Sequence, residues 1–183
     1  MSLLKKADPV KLVSSIISAE EALIAEGIKA LADAYGKPDY VSNIMAFDYT
    51  EYYKPEMGEG LKRRMVSFER LINPEDLPVV KTVSNEIEAR HTLNGKRRMN
   101  IDPGYISTGH LILATGKPYA HRPYLKMGVY ADIALIYRGG TFRPQEWTYP
   151  DYKDSSMIGI LKAIRDKYLK QSATFKKETV QMG

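Results

Sequence analysis

Apolar residues along this chain change their spacing several times, and each change marks a different element. Val10 to Ile17 is a short run rich in β-branched residues, the pattern of a buried strand. Ser18 follows in the position of an N-cap, with Glu21 three residues later to complete a capping box. Ala22, Leu23, Ile28, Leu31 and Tyr35 then recur near one helical face, and Gly36 and Pro38 supply the stop. Tyr40 to Tyr49 predicts a second strand, and the polar, aromatic stretch Thr50 to Gly60 a loop. From Leu61 to Ile72 the side chains alternate, with Arg64, Val66, Phe68 and Arg70 on one side and Met65, Ser67 and Glu69 on the other. Asn73-Pro74-Glu75-Asp76 combines a cap, a first-turn proline and first-turn acids, so a helix is expected from there to about Arg90. Asn94-Gly95 reads as a turn and Arg97 to Ile101 as a fourth strand.

The resulting order, β-α-β-β-α-β, is the split βαβ pattern of a ferredoxin-like fold. Beyond it, Asp102-Pro103-Gly104 has the chemistry of a type II turn, with an Asx-turn at Asp102, and leads into a short helix from Ser107 to Thr115. Tyr119 to Leu125 and Val129 to Arg138 read as strands joined at Met127-Gly128, and Gly139-Gly140 as a further hairpin turn. A helix from Ser155 to Gln171 carries Ile158, Leu161, Ile164 and Tyr168 on one face. The fold class is therefore α+β, one domain over 1–171. Residues 10–102 form the ferredoxin-like half, 103–171 the added helix, hairpins and C-terminal helix, and 172–183 a flexible tail.

Composition narrows the chemistry more than the fold. With 183 residues, 44% hydrophobic and 27% charged, the chain is an ordinary globular protein that needs no disulfide or metal to fold. It has no cysteine, which removes disulfides, thiolate metal sites and thiol nucleophiles together. An all-histidine zinc site needs His91, His110 and His121 to converge, and no metal or cofactor is expected. The start lacks the apolar stretch of a signal peptide and no run is long enough to span a bilayer, so a cytoplasmic location without a membrane partner is expected. A formal charge of +5 permits acidic partners without requiring them. The Walker A, Rossmann, nucleophile-elbow and zincin signatures are all missing.

Four segments concentrate groups able to carry chemistry. Phe47 to Gly58 joins tyrosines to Asp48 and Glu56, either a ligand wall or rings covering a sheet edge. Asn100 and Asp102, two apart on a strand, point to one face near Tyr105, as a site or as a braced corner. His121-Arg122 offers a proton-exchanging ring and a bidentate cation on opposite faces of its strand, with Pro123 suggesting a sheet edge. Glu146 to Tyr152 holds the only tryptophan, an anchor or a lid. Lys62-Arg63-Arg64 and Lys96-Arg97-Arg98 alternate faces, which makes each a solvated edge as readily as a phosphate contact.

At these segments the sequence resembles the bacterial domain of unknown function 4416 family. The resemblance is carried by Phe47-Asp48-Tyr49-Thr50-x-Tyr52-Tyr53, Glu56-Met57-Gly58, Asn85-x-Ile87-Glu88 and Asn100-Ile101-Asp102-Pro103-Gly104-Tyr105. It continues through Leu113-Ala114-Thr115, His121-Arg122-x-Tyr124-Leu125 and Trp147-Thr148-Tyr149-Pro150-Asp151-Tyr152, and departs at Pro123, where a branched apolar residue is expected. It implies a full-length, bacterial, single-domain protein, and it supplies no reaction.

The leading expectation is a polar, aromatic cleft that binds or processes a phosphorylated or carboxylated small molecule, built from Asp48, Tyr52, Glu56, Asn100, Asp102, Tyr105, His121, Arg122 and Glu146. In it Asp102 or His121 is the acid–base group, Arg122 grips the anion, and any metal assistance comes from magnesium on carboxylates. An RNA module using a basic open sheet face is a weaker alternative, as is a partner-binding protein without catalysis. Nothing in the pattern sets an oligomeric state.

Overall fold

The apolar run near the N-terminus forms β1 (Val10–Ser18), which is buried along its whole length. β4 (Lys62–Ile72) and β5 (Asn100–Ile106) flank it, both antiparallel. A strand covered on both sides and both faces has no solvated position, which is why β1 does not alternate and buries Lys11, Ser14, Ser15 and Ser18 together with its apolar residues. Helix α1 (Glu21–Tyr35) follows and buries Leu23, Ile24 and Leu31. It stops at Gly36, where φ is +93° and the N–H donates to Ala32 O. Its start differs from the expected capping box. The Ser18 hydroxyl stays with the strand, accepting Glu20 N–H and donating to Arg98 O, and the helix begins after Glu20 without a side-chain cap.

The expected strand from Tyr40 to Tyr49 is broken into β2 (Pro38–Val41) and β3 (Met45–Ala46). Ser42 sits at the break: its N–H donates to Met65 O and its hydroxyl accepts Met65 N–H, so one residue holds both backbone groups of Met65 on β4. The loop to Gly60 contains one helical turn, α2 (Lys54–Met57). A 3₁₀ turn (Pro74–Asp76) with the Asn73/Asp76 capping box opens α3 (Leu77–Arg90), as its sequence predicts.

The second half departs further. The stretch expected as a helix is β6 (His110–Thr115), reached from β5 by a tight turn in which Ser107 Oγ accepts the N–H groups of Gly109 and His110. Tyr119 to Pro123 is a loop, and only β7 (Tyr124–Lys126) is extended. β8 (Val129–Arg138) and β9 (Thr141–Pro144) form the expected hairpin, with φ of +59° at Gly139 and +79° at Gly140. A short α4 (Pro150–Lys153) leads into α5 (Ser155–Gln181).

The computed structural model describes residues 1–181, with side chains described to residue 174. Residues 172–181, expected as a flexible tail, instead continue α5, and 182–183 lie outside the described residues. The sheet order is β2-β4-β1-β5-β6-β8-β7, with β3 added to β4 and β9 to β8, and every pairing is antiparallel. On one face α1 and α3 enclose Leu12, Ile16, Val66, Phe68 and Ile101. On the other, α5 covers Val13, Met65, Leu111 and Leu135 with Met157, Leu161 and Ile164. The chain is thus an α+β protein of three layers. Among the described residues no helix is long and apolar enough to cross a membrane.

Candidate functional site

β5 and β6 pair only from Gly104↔Leu113 to Ile106↔Leu111. Below that point β5 stays on β1 while β6 stays on β8, so the two strands part. Parting strands leave backbone groups without a ladder, and these must be satisfied some other way. Here Ile101 N–H donates to Glu88 Oε1 (2.6 Å), and Ile101 O accepts from Lys81 Nζ (3.0 Å). Pro103, two residues on, turns its nitrogen to the same side and has no N–H to satisfy. Gly104 sits at the last ladder pair, where an added Cβ would meet Leu113 Cδ2 at 2.8 Å and the Ile112 carbonyl oxygen closer still. Asp102-Pro103-Gly104 is therefore no turn: it is mid-strand, the proline fitting an unpaired edge and the glycine a close approach. Gly104 does not have a positive φ.

A cleft of about 570 Å³ opens where the strands separate. Neighbouring strands lay its floor in two rows, Asn100–Ile17–Arg63 and Asp102–Ser15. Lys81, Asn85 and Glu88, spaced to share one face of α3, reach it from the helix side. Aromatic rings line much of the rest: Phe47, Tyr49, Tyr52 and Tyr53 from the β3–β4 connection, Tyr119 after β6, and Tyr149 and Tyr152 around α4.

Its charges are tightly coupled. Arg97 grips Glu56 bidentately (2.9 and 2.7 Å) and donates to Asn100 Oδ1 (2.9 Å), while Asn100 Nδ2 donates to Asp102 Oδ2 (2.7 Å). The Arg97 hydrogen bonds hold the Glu56 carboxyl below the usual range. Glu88 goes the other way: burial raises it, outweighing Lys81, the Ile101 N–H and Arg97. Burial also pushes the Tyr53 and Tyr152 hydroxyls up, so both stay protonated. Arg63 is 2% exposed, paired through Nη1 with Asp151 and set 4.9 Å from the Phe47 ring centre. Arg122 donates through Nε to Asp132, through Nη1 to Lys117 O and through Nη2 to the Tyr149 hydroxyl. It forms an ion pair with Asp132 and has the Tyr119 and Tyr149 rings beside its guanidinium.

Of the residues expected to form a site, Tyr52, Asn100, Asp102 and Arg122 line this cleft. Arg122 does so with its guanidinium already engaged by Asp132. Glu56 stands one hydrogen bond behind, through Arg97. Tyr105 lies elsewhere, half-buried beside His110 and the α1–α3 core. Asp48 and Glu146 are exposed and outside the lining. His121 is in a loop rather than a strand, stacked between Tyr119 and Trp147, with Nε2 4.0 Å from Asp132. Arg63, Lys81, Glu88, Arg97, Asp132, Asp151 and Tyr152 were not singled out as site residues. The Asn85-x-x-Glu88 spacing, which puts both on one face of α3, was the available signal for two of the cleft's polar groups.

Glu88 invites a direct test. Because folded Glu88 holds its proton more tightly than unfolded Glu88, its contribution favours the fold below the unfolded value and is lost as pH rises through the folded one. Glu88→Gln, fixed neutral and still able to accept Ile101 N–H, is expected to flatten the stability–pH curve across that window. Glu88→Ala strands a buried N–H and is expected to cost about 2–3 kcal/mol. Urea unfolding at several pH values separates the two, and an equal loss in both variants would show that the fold needs the ionised carboxylate facing Arg97 and Lys81, which would overturn the protonated reading.

Fold and cleft together define an α+β protein with one antiparallel sheet and a polar, aromatic-lined cleft at a parting of two strands. The chain matches the model of the family described as domain of unknown function (DUF4416) over residues 8–168, and it belongs to that family. No curated protein and no solved structure matches it.

Proposed function

We propose that this chain binds, in a bacterial cytoplasm, a small molecule that joins a ring to a phosphate or carboxylate. The observation that carries the reading is the cleft at the β5–β6 parting, with seven aromatic side chains and two lysines, Lys81 and Lys117, in its lining. Tyrosine rings suit stacking against a flat ligand, and a few placed polar groups give orientation. Lys117 rests 4.1 Å from the Tyr52 ring centre with no acidic partner among the described residues, so its ammonium is available to an anion. Lys81 holds one backbone carbonyl, lies 3.8 Å from Asp102 Oδ1, and keeps further N–H groups. If the ligand is also transformed, Asp102 is the acid–base candidate, since Oδ2 is fixed by Asn100 while Oδ1 accepts no hydrogen bond from the described residues.

The strand order β2-β4-β1-β5 around α1 and α3 supports a ferredoxin-like core. The sheet face that an RNA module would use is covered by α5, which favours a small ligand over nucleic acid.

Thermal-shift screening against nucleoside monophosphates, sugar phosphates and aromatic carboxylates tests the reading. A ligand at a hundred times its Kd adds about 2.7 kcal/mol, a rise of roughly 5–10 °C for a chain of this size. Tyr52→Ala and Lys117→Ala alter exposed rim residues and are expected to reduce that rise without changing the ligand-free Tm. Equal shifts in wild type and both variants, or no shift above about 2 °C across the panel, would count against it.

A further inference from the structure

Three buried polar atoms that border the cleft, Ser15 Oγ, Arg63 Nε and the Tyr152 hydroxyl, have no hydrogen-bond partner among the described residues. Their residues are 1%, 2% and 5% exposed. Buried donors without partners are rare, and each asks for an explanation. They also lie together. Ile17, two residues from Ser15 and on the same face of β1, is the register partner of Arg63, and the Arg63 guanidinium lies 5.7 Å from the Tyr152 ring centre. The Tyr152 hydroxyl faces Ser15 without a hydrogen bond of normal geometry.

Their charge environment decides what they can receive. Arg63 is already neutralised by Asp151, and Asp102 occupies the place on β5 directly opposite Ser15. Asp102 is itself paired with Lys81, whose Nζ lies 3.8 Å from Oδ1. An anion brought here meets two carboxylates and two cations already paired, with no spare positive charge to hold it. A neutral acceptor meets only donors, and Asp102 Oδ1 stands ready to accept a proton from the same ligand.

We propose that the floor of the cleft is a subsite for a neutral planar amide edge. Its carbonyl oxygen accepts from Arg63 Nε and one hydroxyl, and its N–H donates to Asp102 Oδ1. The second hydroxyl donates to the first, which closes the count for a carbonyl with two lone pairs. The inference rests on the small-molecule reading of the cleft and adds the chemistry of the part that enters first, the anionic part remaining at Lys81 and Lys117.

The test is an amide-detected NMR titration of the full chain with benzamide, benzoate and phenyl phosphate. Benzamide and benzoate have nearly the same shape and differ in charge and in the amide N–H. Benzamide is expected to shift the signals of residues 100–104 and to bind at least about tenfold more tightly there than benzoate. Tyr152→Phe and Ser15→Ala are each expected to weaken benzamide about three- to tenfold. Neither is expected to lower the ligand-free Tm, because each removes an unpartnered hydroxyl. A preference for benzoate at these signals, or unchanged benzamide affinity in both variants, would overturn the subsite. If phenyl phosphate shifts cleft signals and benzamide shifts none, the subsite falls while the cleft stands. If no probe shifts them, both fall.

Discussion

Gly104→Ala is expected to force β6 away from β5 and to lower stability by about 3 kcal/mol, a drop of roughly 6–12 °C in Tm. The methyl would meet the Ile112 carbonyl and Leu113 Cδ2, and the carbonyl belongs to a strand held on its far side by β8. A flexible side chain could swing away, but a laddered backbone cannot. Gly104 is extended without a positive φ, so relief of backbone strain plays no part. Gly109→Ala, a few residues on with nothing within 4 Å, is the control and is expected to stay within about 0.5 kcal/mol. Urea unfolding of the two variants distinguishes contact from propensity. A near-neutral Gly104→Ala would mean that β6 moves freely there and that the parting point is not set by this glycine. Because the cleft opens from this pair, the same variant is expected to weaken any ligand that binds in it.

The same segment shows where reading the residues succeeded and where it stopped. β1, α1, β4, α3, β8 and the Gly139-Gly140 hairpin follow from local periodicity, caps and turn residues. Asp102-Pro103-Gly104 defeated that approach because its residues suit a type II turn on their own, and only the missing β6 partner at Pro103 and the close β6 partner at Gly104 make them suit a strand. His110 to Ala114 is a short apolar run, whose period does not separate helix from strand. The polar groups of the cleft divide in the same way. Asn100 and Asp102 were legible as a same-face pair, and Tyr52 as part of an aromatic segment. Arg63 and Arg97 sat in basic triplets that looked like solvated edges, since nothing local shows that Asp151 or Glu56, 88 and 41 positions away, will meet them. Long-range register buries those charges, and register is not written in any one segment.

Lys11 is the extreme case, a lysine in the middle of an apolar strand with no exposed surface. Its ammonium donates to Asp39 (2.6 Å) and to Phe68 O (2.9 Å), and Asp39 also accepts from Ser67 Oγ (2.5 Å). Both ladders of β4 slip at this level, between Lys11 and Val13 on β1 and between Pro38 and Tyr40 on β2. The slip leaves Phe68 O to a side chain, and Lys11 supplies it. Removing one partner of a buried pair is expected to cost about 3–5 kcal/mol, so Asp39→Ala should be among the most damaging single changes. Burial alone would raise the Asp39 carboxyl, but the hydrogen bonds from Lys11 and Ser67 outweigh it and hold it below its ordinary value. A depressed folded value contributes stability above the unfolded pKa and loses it as pH falls through the folded one, so the wild type should show this loss on its acid limb. Asp39→Asn keeps an acceptor for Ser67 and should lack that loss. Lys11→Met combined with Asp39→Asn removes both charges and is expected to recover much of the single-variant deficit, a coupling measured by a double-mutant cycle in urea. If the double variant is as unstable as the sum of the singles, the pair is not acting as a unit. The lysine would then matter chiefly as the donor to Phe68 O that holds the slipped strands in register.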